Sequence, residues 1–395
     1  MIGIYIHVPY CSKICPYCDF NTYATQRLPE EEFVNSIIQE LRLHSSQGKI
    51  QQKRVNSVFY GGGTPSLLTT DAISRIHEAL TKEFSIDWND VEVTIEANPQ
   101  DITPQYAKAL QEMRINRVSL GVQSLSPAIL SFLGREHSPQ DVRTALSSLH
   151  SASLENINMD IIFGSPVHSL SELKRDLESY IALYPAHIST YSLTIEPGTP
   201  FYKAATSGAL TPMSDELVRE QYETLMELLP TFGFFQYEVS NFARPGFQCR
   251  HNEHYWMRES YLGLGPGAHS YLKEEGTRWA NVRRPEEYRS QLMRQELPIA
   301  WAEQLSREDV ISEILMLGLR RVEGIELVEP FSMLTPLEAQ RLSTRLQALH
   351  EEGLGVHSRE KGRFSLTKDG LCVADSIISD LIASIGEAIE TTEKK

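Results

Sequence analysis

The chain has 395 residues, of which 41% are hydrophobic, and a formal net charge of −15. This length accommodates one large α/β domain and a smaller one, and the acidic charge argues against a nucleic-acid partner, which normally meets a basic surface. No stretch of about 18 apolar residues predicts a transmembrane helix. The start "MIGIYIHVPYC" resembles a strand and lacks the features of a signal peptide, so we expect a cytoplasmic protein.

Residues 1–240 repeat a pattern in which a short strand rich in β-branched residues precedes a longer amphipathic helix. The predicted strands are "IGIYIHVP", "VNSVFYGGG", "VEVTIEANP", "RVSLGVQS", "INMDIIFGSP" and "ISTYSLTIEP". Strands that alternate with helices indicate a parallel sheet with helices outside. Six units are fewer than the eight of a closed TIM barrel. The fold class is therefore predicted to be α/β, a partial (βα)6 TIM-type barrel.

After residue 240 the sequence predicts two further segments that differ from the strand–helix repeat. Residues 241–300 are dense in glycine, proline and aromatic residues, which predicts a loop-rich segment with one further strand. Residues 301–395 predict helices followed by a hairpin and a last helix, a smaller winged-helix-like α+β domain that ends in a frayed tail, "ETTEKK".

Three of the five cysteines, Cys11, Cys15 and Cys18, stand together in "CSKICPYC" directly after the first predicted strand. In parallel α/β folds this position is the carboxyl rim, where functional sites lie. Three thiolates on one short loop suit a [4Fe–4S] cluster with one iron left open. A zinc site completed by a distant ligand is the alternative, although no second cysteine pair is present; Cys249 and Cys372 stand alone.

Other candidate residues follow the later strands at the same rim. "GGGTP" ends the second strand, and its glycines allow the backbone to approach a ligand closely. Glu96, Gln123 and Asp160 end the third, fourth and fifth strands, and Arg135 lies just beyond, where it could pair with a carboxylate. Polar groups at the ends of consecutive strands predict one shared cavity.

The spacing C-x3-C-x2-C after the first strand of a (βα)6 pattern resembles the radical S-adenosylmethionine (SAM) superfamily. "YIHVPYC", "FYGGGTPS", "IEANP", "LGVQS", "LGREH" and "MDIIFGSP" narrow the resemblance to oxygen-independent coproporphyrinogen III oxidases and their relatives. It implies that the open iron binds SAM and that Tyr17 packs near the adenine. The other SAM contacts it implies are Tyr5, Gly62, Gly63, Thr64, Glu96, Gln123, Arg135, Asp160 and Thr194, the last in a stretch that departs from the oxidase pattern.

Two features depart from the oxidases and resemble the HemW-type heme chaperones instead. The oxidases carry a fourth cysteine where this chain has Phe20. The motif H-N-x-x-Y-W of the chaperone subfamily is matched by His251, Asn252, Tyr255 and Trp256. Imidazole is a common heme ligand and aromatic rings suit a flat macrocycle, and the resemblance makes His251 the predicted heme ligand. A packed loop whose histidines bond to the backbone is the structural alternative. The alternatives are His254 and His269, and His7 lies near the cluster loop.

The resemblance therefore implies a protein that binds heme and transfers it to a heme-requiring protein, with a cluster and SAM in a structural or gating role. It leaves open a homodimer and a transient contact with a membrane protein. A second interpretation is a radical SAM enzyme that acts on a porphyrinogen. A third, a tRNA-modifying radical SAM enzyme, is disfavoured by the acidic charge and by the lack of an added RNA-binding module.

Overall fold

The computed structural model describes residues 1–48, 50, 53–358 and 360–386, so the tail "ETTEKK" lies outside the described residues. The chain divides into two compact units. Unit 1 comprises residues 1–221, 249–251 and 259–303, and unit 2 comprises the remaining segments. The boundaries at 240 and 300 that the sequence suggested stay predictions.

The strands, in chain order, are β1 (Ile2–Val8), β2 (Tyr10–Cys11), β3 (Tyr23–Ala24), β4 (Arg54–Gly62), β5 (Ser85–Ile86), β6 (Glu92–Ala97), β7 (Arg117–Gln123), β8 (Ile157–Phe163), β9 (His187–Ser192), β10 (Phe235–Gln236), β11 (Asn241–Ala243), β12 (Tyr261–Leu264), β13 (His269–Leu272), β14 (Thr277–Asn281), β15 (Ile299–Gln304), β16 (Ile325–Glu326), β17 (Gly355–Ser358) and β18 (Arg363–Leu366).

The α-helices are α1 (Glu30–Ser46), α2 (Thr70–Glu83), α3 (Pro104–Glu112), α4 (Pro127–Phe132), α5 (Pro139–Ser151), α6 (Leu170–Ile181), α7 (Pro200–Thr206), α8 (Asp215–Thr231), α9 (Arg250–Trp256), α10 (Pro285–Met293), α11 (Arg307–Gly318), α12 (Val328–Met333), α13 (Pro336–Glu351), α14 (Lys368–Cys372) and α15 (Ala374–Gly386).

Unit 1 is built on one large open sheet. Its strands follow the order β9-β8-β7-β6-β4-β1-β12-β13-β14-β15, and the first six of them are parallel, as the alternation of strands and helices predicted. Strand β12 continues the parallel arrangement beside β1, and β13 and β14 then turn back antiparallel. The sheet order is linear, which is the topology of a partial barrel.

The two faces of the parallel strands differ sharply in chemistry because successive residues point to opposite sides. On β1 the even positions, such as Ile2 and Ile4, are fully buried, and so are Val118 and Leu120 on β7. The opposite face carries polar residues, among them Ser57, Thr94, Arg117 and Asn158, which are also buried. The apolar face suits packing against helices, whereas the polar face lines the concave side of the half-barrel.

Helix starts in unit 1 carry the local signals that the sequence showed. Ser138 and Ser169 each form a capping box with the acidic residue three positions later, at the start of α5 and of α6. Thr69 and Thr103 cap α2 and α3 through their hydroxyl oxygens. Such caps satisfy backbone N–H groups that have no partner inside the helix, and so they fix where each helix begins.

The segment 241–300 contains more regular structure than its composition predicted. Strands β12 to β15 and helices α9 and α10 occupy much of it. These strands have only four to six residues. Short strands of this kind lack the repeated period that makes longer strands recognisable.

Unit 2 contains a second, smaller sheet in which β18 lies between β16 and β17 and pairs antiparallel with both. Helices α11, α13 and α15 contribute to one apolar core around Phe364, which is fully buried. Helices followed by a hairpin give the winged-helix-like arrangement that the sequence predicted. Among the described residues, no helix combines the length and the apolar character needed to span a bilayer.

Candidate functional site at the rim of the half-barrel

The cysteine loop follows β1 and is held by backbone hydrogen bonds at its base and within it. The carbonyl oxygen of Cys11 accepts from the N–H of Thr25 at 2.9 Å, and the carbonyl oxygen of Cys15 accepts from the N–H of Cys18 at 3.1 Å. The short strands β2 and β3 pair in parallel across the base of the loop. The base of the loop is also tied to the segment after β4, because the N–H of Thr64 donates to the carbonyl oxygen of Tyr10 at 2.8 Å.

All three cysteines of the loop are free thiols; Cys11 is buried, and Cys15 and Cys18 are partly buried. Burial raises the pKa of the Cys11 and Cys18 thiols. No group of three His, Cys, Asp or Glu side chains in the described part of the chain converges on a point for a single metal ion. A [4Fe–4S] cube does not need such a point, because each thiolate binds a different iron.

The middle of the loop packs against helices that follow β7 and β9. The N–H of Phe201 on α7 donates to the carbonyl oxygen of Pro16 at 3.0 Å. Gly134 has φ of 68°, and a Cβ there would lie 2.7 Å from the Pro16 ring. The Tyr17 ring lies 6.3 Å from that of Phe201, in a small apolar cluster. Tyr17 is thus held beside the cysteines, and its contact with the adenine of SAM stays a prediction.

Arg135 connects the loop to the neighbouring strands. Its Nη1 atom lies 3.6 Å from Cys15 Sγ, and its Nη2 atom donates to Asn98 Oδ1 at 2.6 Å and to the Gly121 carbonyl oxygen at 2.8 Å. A guanidinium in this position would stabilise a thiolate at Cys15 and negative charge near it. The sequence predicted Arg135 but missed Asn98, although "IEANP" places it two residues after Glu96 on the same strand end.

Two carboxyl groups lie on the polar face below the rim. Glu96 Oε2 accepts from the N–H of Gly62 at 2.9 Å, and burial, with Asp160 nearby, raises the pKa of Glu96 to about 8. Burial also raises the pKa of Asp160 to about 6. Gly62 has φ of 111°, and a Cβ there would lie 2.5 Å from the His7 ring, so only glycine fits.

Asn158 bonds to several polar groups on this face of the sheet, and the sequence did not single it out. Its Nδ2 atom donates to Asp160 Oδ1 and to Ser119 Oγ, both at 2.8 Å. Its Oδ1 atom lies 2.6 Å from His187 Nδ1 and accepts from Ser189 Oγ at 3.0 Å. In "INMD", Asn158 precedes Asp160 by two positions and so points to the same face, a signal that would have found it.

Some buried polar atoms at the rim have no protein partner. Gln123 Oε1 and Arg135 Nε are buried without a hydrogen bond to the described residues, and Gln123 has φ of 67°. Buried polar atoms are normally paired, so these two indicate a polar ligand. A small molecule with both amino and carboxylate groups fits them, together with Glu96 and Asp160.

The other residues predicted to contact SAM are Tyr5, Gly63, Thr64 and Thr194. Tyr5 lies on β1, and its hydroxyl group is 2.9 Å from His7 Nδ1. Gly63 and Thr64 follow β4 and donate their N–H groups to the Val8 and Tyr10 carbonyl oxygens at 2.8 Å. Thr194 is exposed, two residues beyond the end of β9.

The four histidines named in the sequence differ in environment. His7 is bonded at both ring nitrogens, to Tyr5 and, at 2.9 Å, to the carbonyl oxygen of Asn21. His251 is 1% exposed, its Nδ1 atom lies 2.9 Å from Ser57 Oγ, and its ring stacks on Phe59. His254, in unit 2, is buried, whereas His269, in unit 1, is exposed. The heme-ligand role of His251 stays a prediction.

An open parallel half-barrel with a C-x3-C-x2-C loop after its first strand defines the radical SAM class. The family model described as "Radical SAM superfamily" matches residues 5–179, and that of the "HemN C-terminal domain" matches residues 305–373. The solved coproporphyrinogen III oxidase (HemN) of Escherichia coli aligns with a TM-score of 0.81 at 20% identity and covers 96% of this chain and 89% of its own. The predicted fold class is confirmed.

Curated relatives narrow the class to one family. The heme chaperone HemW of Bacillus subtilis is 35% identical over 82% of this chain and 85% of its own length. HemW of Mycobacterium tuberculosis is 34% identical over 96% and 94%. A bovine relative named radical S-adenosyl methionine domain-containing protein 1, mitochondrial, is 33% identical over 98% and 88%. The chain belongs to the HemW heme chaperone family, as the resemblance indicated.

Proposed function

We propose that this protein is a heme chaperone that binds heme and transfers it to an acceptor protein, with a [4Fe–4S] cluster and SAM at the rim of its half-barrel. The observation that carries the proposal is full-length similarity to HemW chaperones, together with Phe20 in place of a fourth cysteine. The Phe20 side chain is 67% exposed. It therefore places an apolar ring at the surface of the cluster loop.

The residues at the rim fit the two cofactors that the radical SAM class implies. Cys11, Cys15 and Cys18 would hold the cluster and leave one iron without a thiolate. That iron would offer a coordination position to the amino and carboxylate groups of SAM. Glu96, Asp160 and the unpaired atoms of Gln123 and Arg135 supply the polar contacts. Their part is to bind and orient the ligand.

Loss of either carboxylate should weaken SAM binding. At pH 8.5, above the pKa of both carboxyl groups, a charge-assisted hydrogen bond contributes roughly 1.5–3 kcal/mol, so Asp160→Ala and Glu96→Ala should each lower SAM affinity about tenfold to a hundredfold. Calorimetry on the reconstituted protein measures this affinity. Asp90→Ala removes an exposed carboxylate paired with Arg54 and serves as a control. Unchanged affinity in both site variants would move the SAM site elsewhere.

Heme binding and release are the direct test of the proposed function. Hemin added to the reconstituted protein should produce a Soret band. The three thiolates would already bind the cluster, so other side chains would ligate the heme iron. Addition of an apo-heme protein should then move the absorbance to the spectrum of the acceptor. A chaperone role is contradicted if no Soret band forms, or if bound heme never leaves for any apo-protein tested.

The natural acceptor, a homodimer, a transient contact with a membrane protein and the cytoplasmic location stay predictions from the sequence. The acidic charge continues to argue against a nucleic-acid partner.

A further inference from the structure

His269 is the candidate histidine that presents its ring to solvent. It is the first residue of β13 and is exposed. Within residues 1–48, 50, 53–358 and 360–386, no hydrogen bond engages either of its ring nitrogens; its one ring contact is with Trp301. His7 and His251, in contrast, are buried and hydrogen-bonded. An iron atom can therefore approach His269 without breaking an existing bond.

His269 belongs to an aromatic face of the sheet that continues the polar side of the half-barrel. Tyr5 on β1 pairs with Gly263 on β12, and Tyr261 pairs with Tyr271 on β13. Paired residues point to the same side, and so do alternate residues along a strand. We call this surface the β12–β15 face; its side chains are those of Tyr261, His269, Tyr271, Arg278 and Trp301.

Trp301 is oriented to support a flat ligand bound to His269. Its ring centroid lies 5.7 Å from that of His269, and the two planes are 71° apart. An axial imidazole stands perpendicular to a porphyrin plane, so a ring nearly perpendicular to the imidazole can lie parallel to the porphyrin and stack on it. Trp301 is 41% exposed, which leaves much of its surface for such contact.

The electrostatics of this face suit an anionic ligand with a metal centre. Partial burial and the positive charges of Arg278 and Arg283 lower the pKa of His269, which keeps the imidazole neutral and able to donate a lone pair to iron. Arg278 forms an ion pair with Glu303. Arg283 is exposed and has no carboxylate partner among the described residues. Arg283 can therefore pair with a propionate group.

We propose that heme docks on the β12–β15 face, with His269 as its axial ligand, Trp301 stacked on the macrocycle and Arg283 paired with a propionate. This inference rests on the proposed function and specifies the site at which the cargo binds. It places heme on the same sheet face as Tyr5, and so on the side of the sheet that carries the predicted SAM contacts.

The test is a hemin titration of the full chain after cluster reconstitution. The absorbance of the Soret band gives the affinity, and its position reports the axial ligand. Second-sphere changes at metal sites typically cost 10–100-fold in affinity, so loss of the ligand itself in His269→Ala should lower hemin affinity at least about tenfold and shift the band. His269→Cys should instead give a spectrum of thiolate-ligated heme. Trp301→Ala should weaken binding without altering the ligand signature, and Trp301→Phe should weaken it less.

Matched controls separate this site from the other histidines. His150→Ala removes a partly exposed histidine on α5 and should bind hemin like the wild type. His251→Ala should keep the wild-type band position, because that ring is buried against Ser57 and Phe59. Far-UV circular dichroism checks that each variant folds. If the wild type binds hemin and both His269→Ala and His269→Cys retain its spectrum and affinity, the ligand assignment is overturned while the chaperone function stands. If the wild type binds no hemin, the function itself fails.

Discussion

Cys15→Ala should leave the protein without its brown absorbance and without most of its iron after anaerobic reconstitution. A cube held by three thiolates depends on each of them, because a missing thiolate exposes a second iron to solvent. Cys15 is also the thiol that Arg135 contacts, at 3.6 Å, so its loss also removes a contact of that guanidinium. Cys11→Ala and Cys18→Ala should behave in the same way. Iron analysis and the visible spectrum measure the effect.

Cys372→Ala is the matched control, because Cys372 lies on α14, outside the cysteine loop. It should reconstitute like the wild type. Retention of about four irons per chain by a triple variant with alanine at 11, 15 and 18 would show that the cluster, if one forms, has other ligands.

Glu96→Gln should make the folded protein less sensitive to alkaline pH. The pKa of Glu96 is raised from its ordinary 4.5 to about 8 by burial, so between these values the folded protein keeps a proton that the unfolded chain has released. Stability therefore falls as pH rises through this window, by up to about 1.4 kcal/mol per pH unit. Glutamine cannot ionise, and its Oε1 atom can still accept the Gly62 N–H. The variant should match the wild type near pH 4.5 and exceed it by a few kcal/mol at pH 8.

Thermal unfolding of the cluster-free protein between pH 4.5 and 8.5 measures this difference as a gap in Tm that widens with pH. Asp160, whose pKa is raised to about 6 in the wild type, is present in both proteins and loses its proton while Glu96 is still protonated, so its contribution to the slope should be similar in each. Glu112→Gln changes an exposed carboxyl group on α3 and should produce no pH-dependent gap. A constant difference in Tm between Glu96→Gln and the wild type across this range would show that Glu96 titrates normally.

The half-barrel was predictable because its strands and helices are long enough for the regular spacing of their buried residues to be recognised. Ile2 and Ile4 alternate with residues of the polar face, and helices α2, α3, α5 and α6 each begin at a Ser or Thr cap. Glu96 could be found because it lies at the carboxyl end of β6, and the carboxyl ends of parallel strands meet at one rim. The expectation that Asp160 ends its strand is wrong: it lies in the middle of β8, and alternation along the strand puts it on the same face as Asn158. Local sequence therefore located much of the candidate site before any contact was known.

Contacts between distant segments could not be read from the sequence. Asn21, just past the cysteine loop, donates from its Nδ2 atom to the carbonyl oxygen of Pro266 at 2.9 Å, 245 positions along the chain. The burial of His251 depends on Ser57 and Phe59, which the motif H-N-x-x-Y-W does not specify. The β12–β15 face arises only when four short strands assemble beside β1.

The most direct test of the chaperone account compares two activities in one anaerobic preparation of the reconstituted protein. One portion, loaded with heme, receives an apo-heme protein; the other receives coproporphyrinogen III, SAM and a reductant. The account predicts heme transfer in the first portion and intact coproporphyrinogen, judged by mass spectrometry, in the second. Decarboxylation of coproporphyrinogen at an enzyme-like rate, without heme transfer, would contradict it.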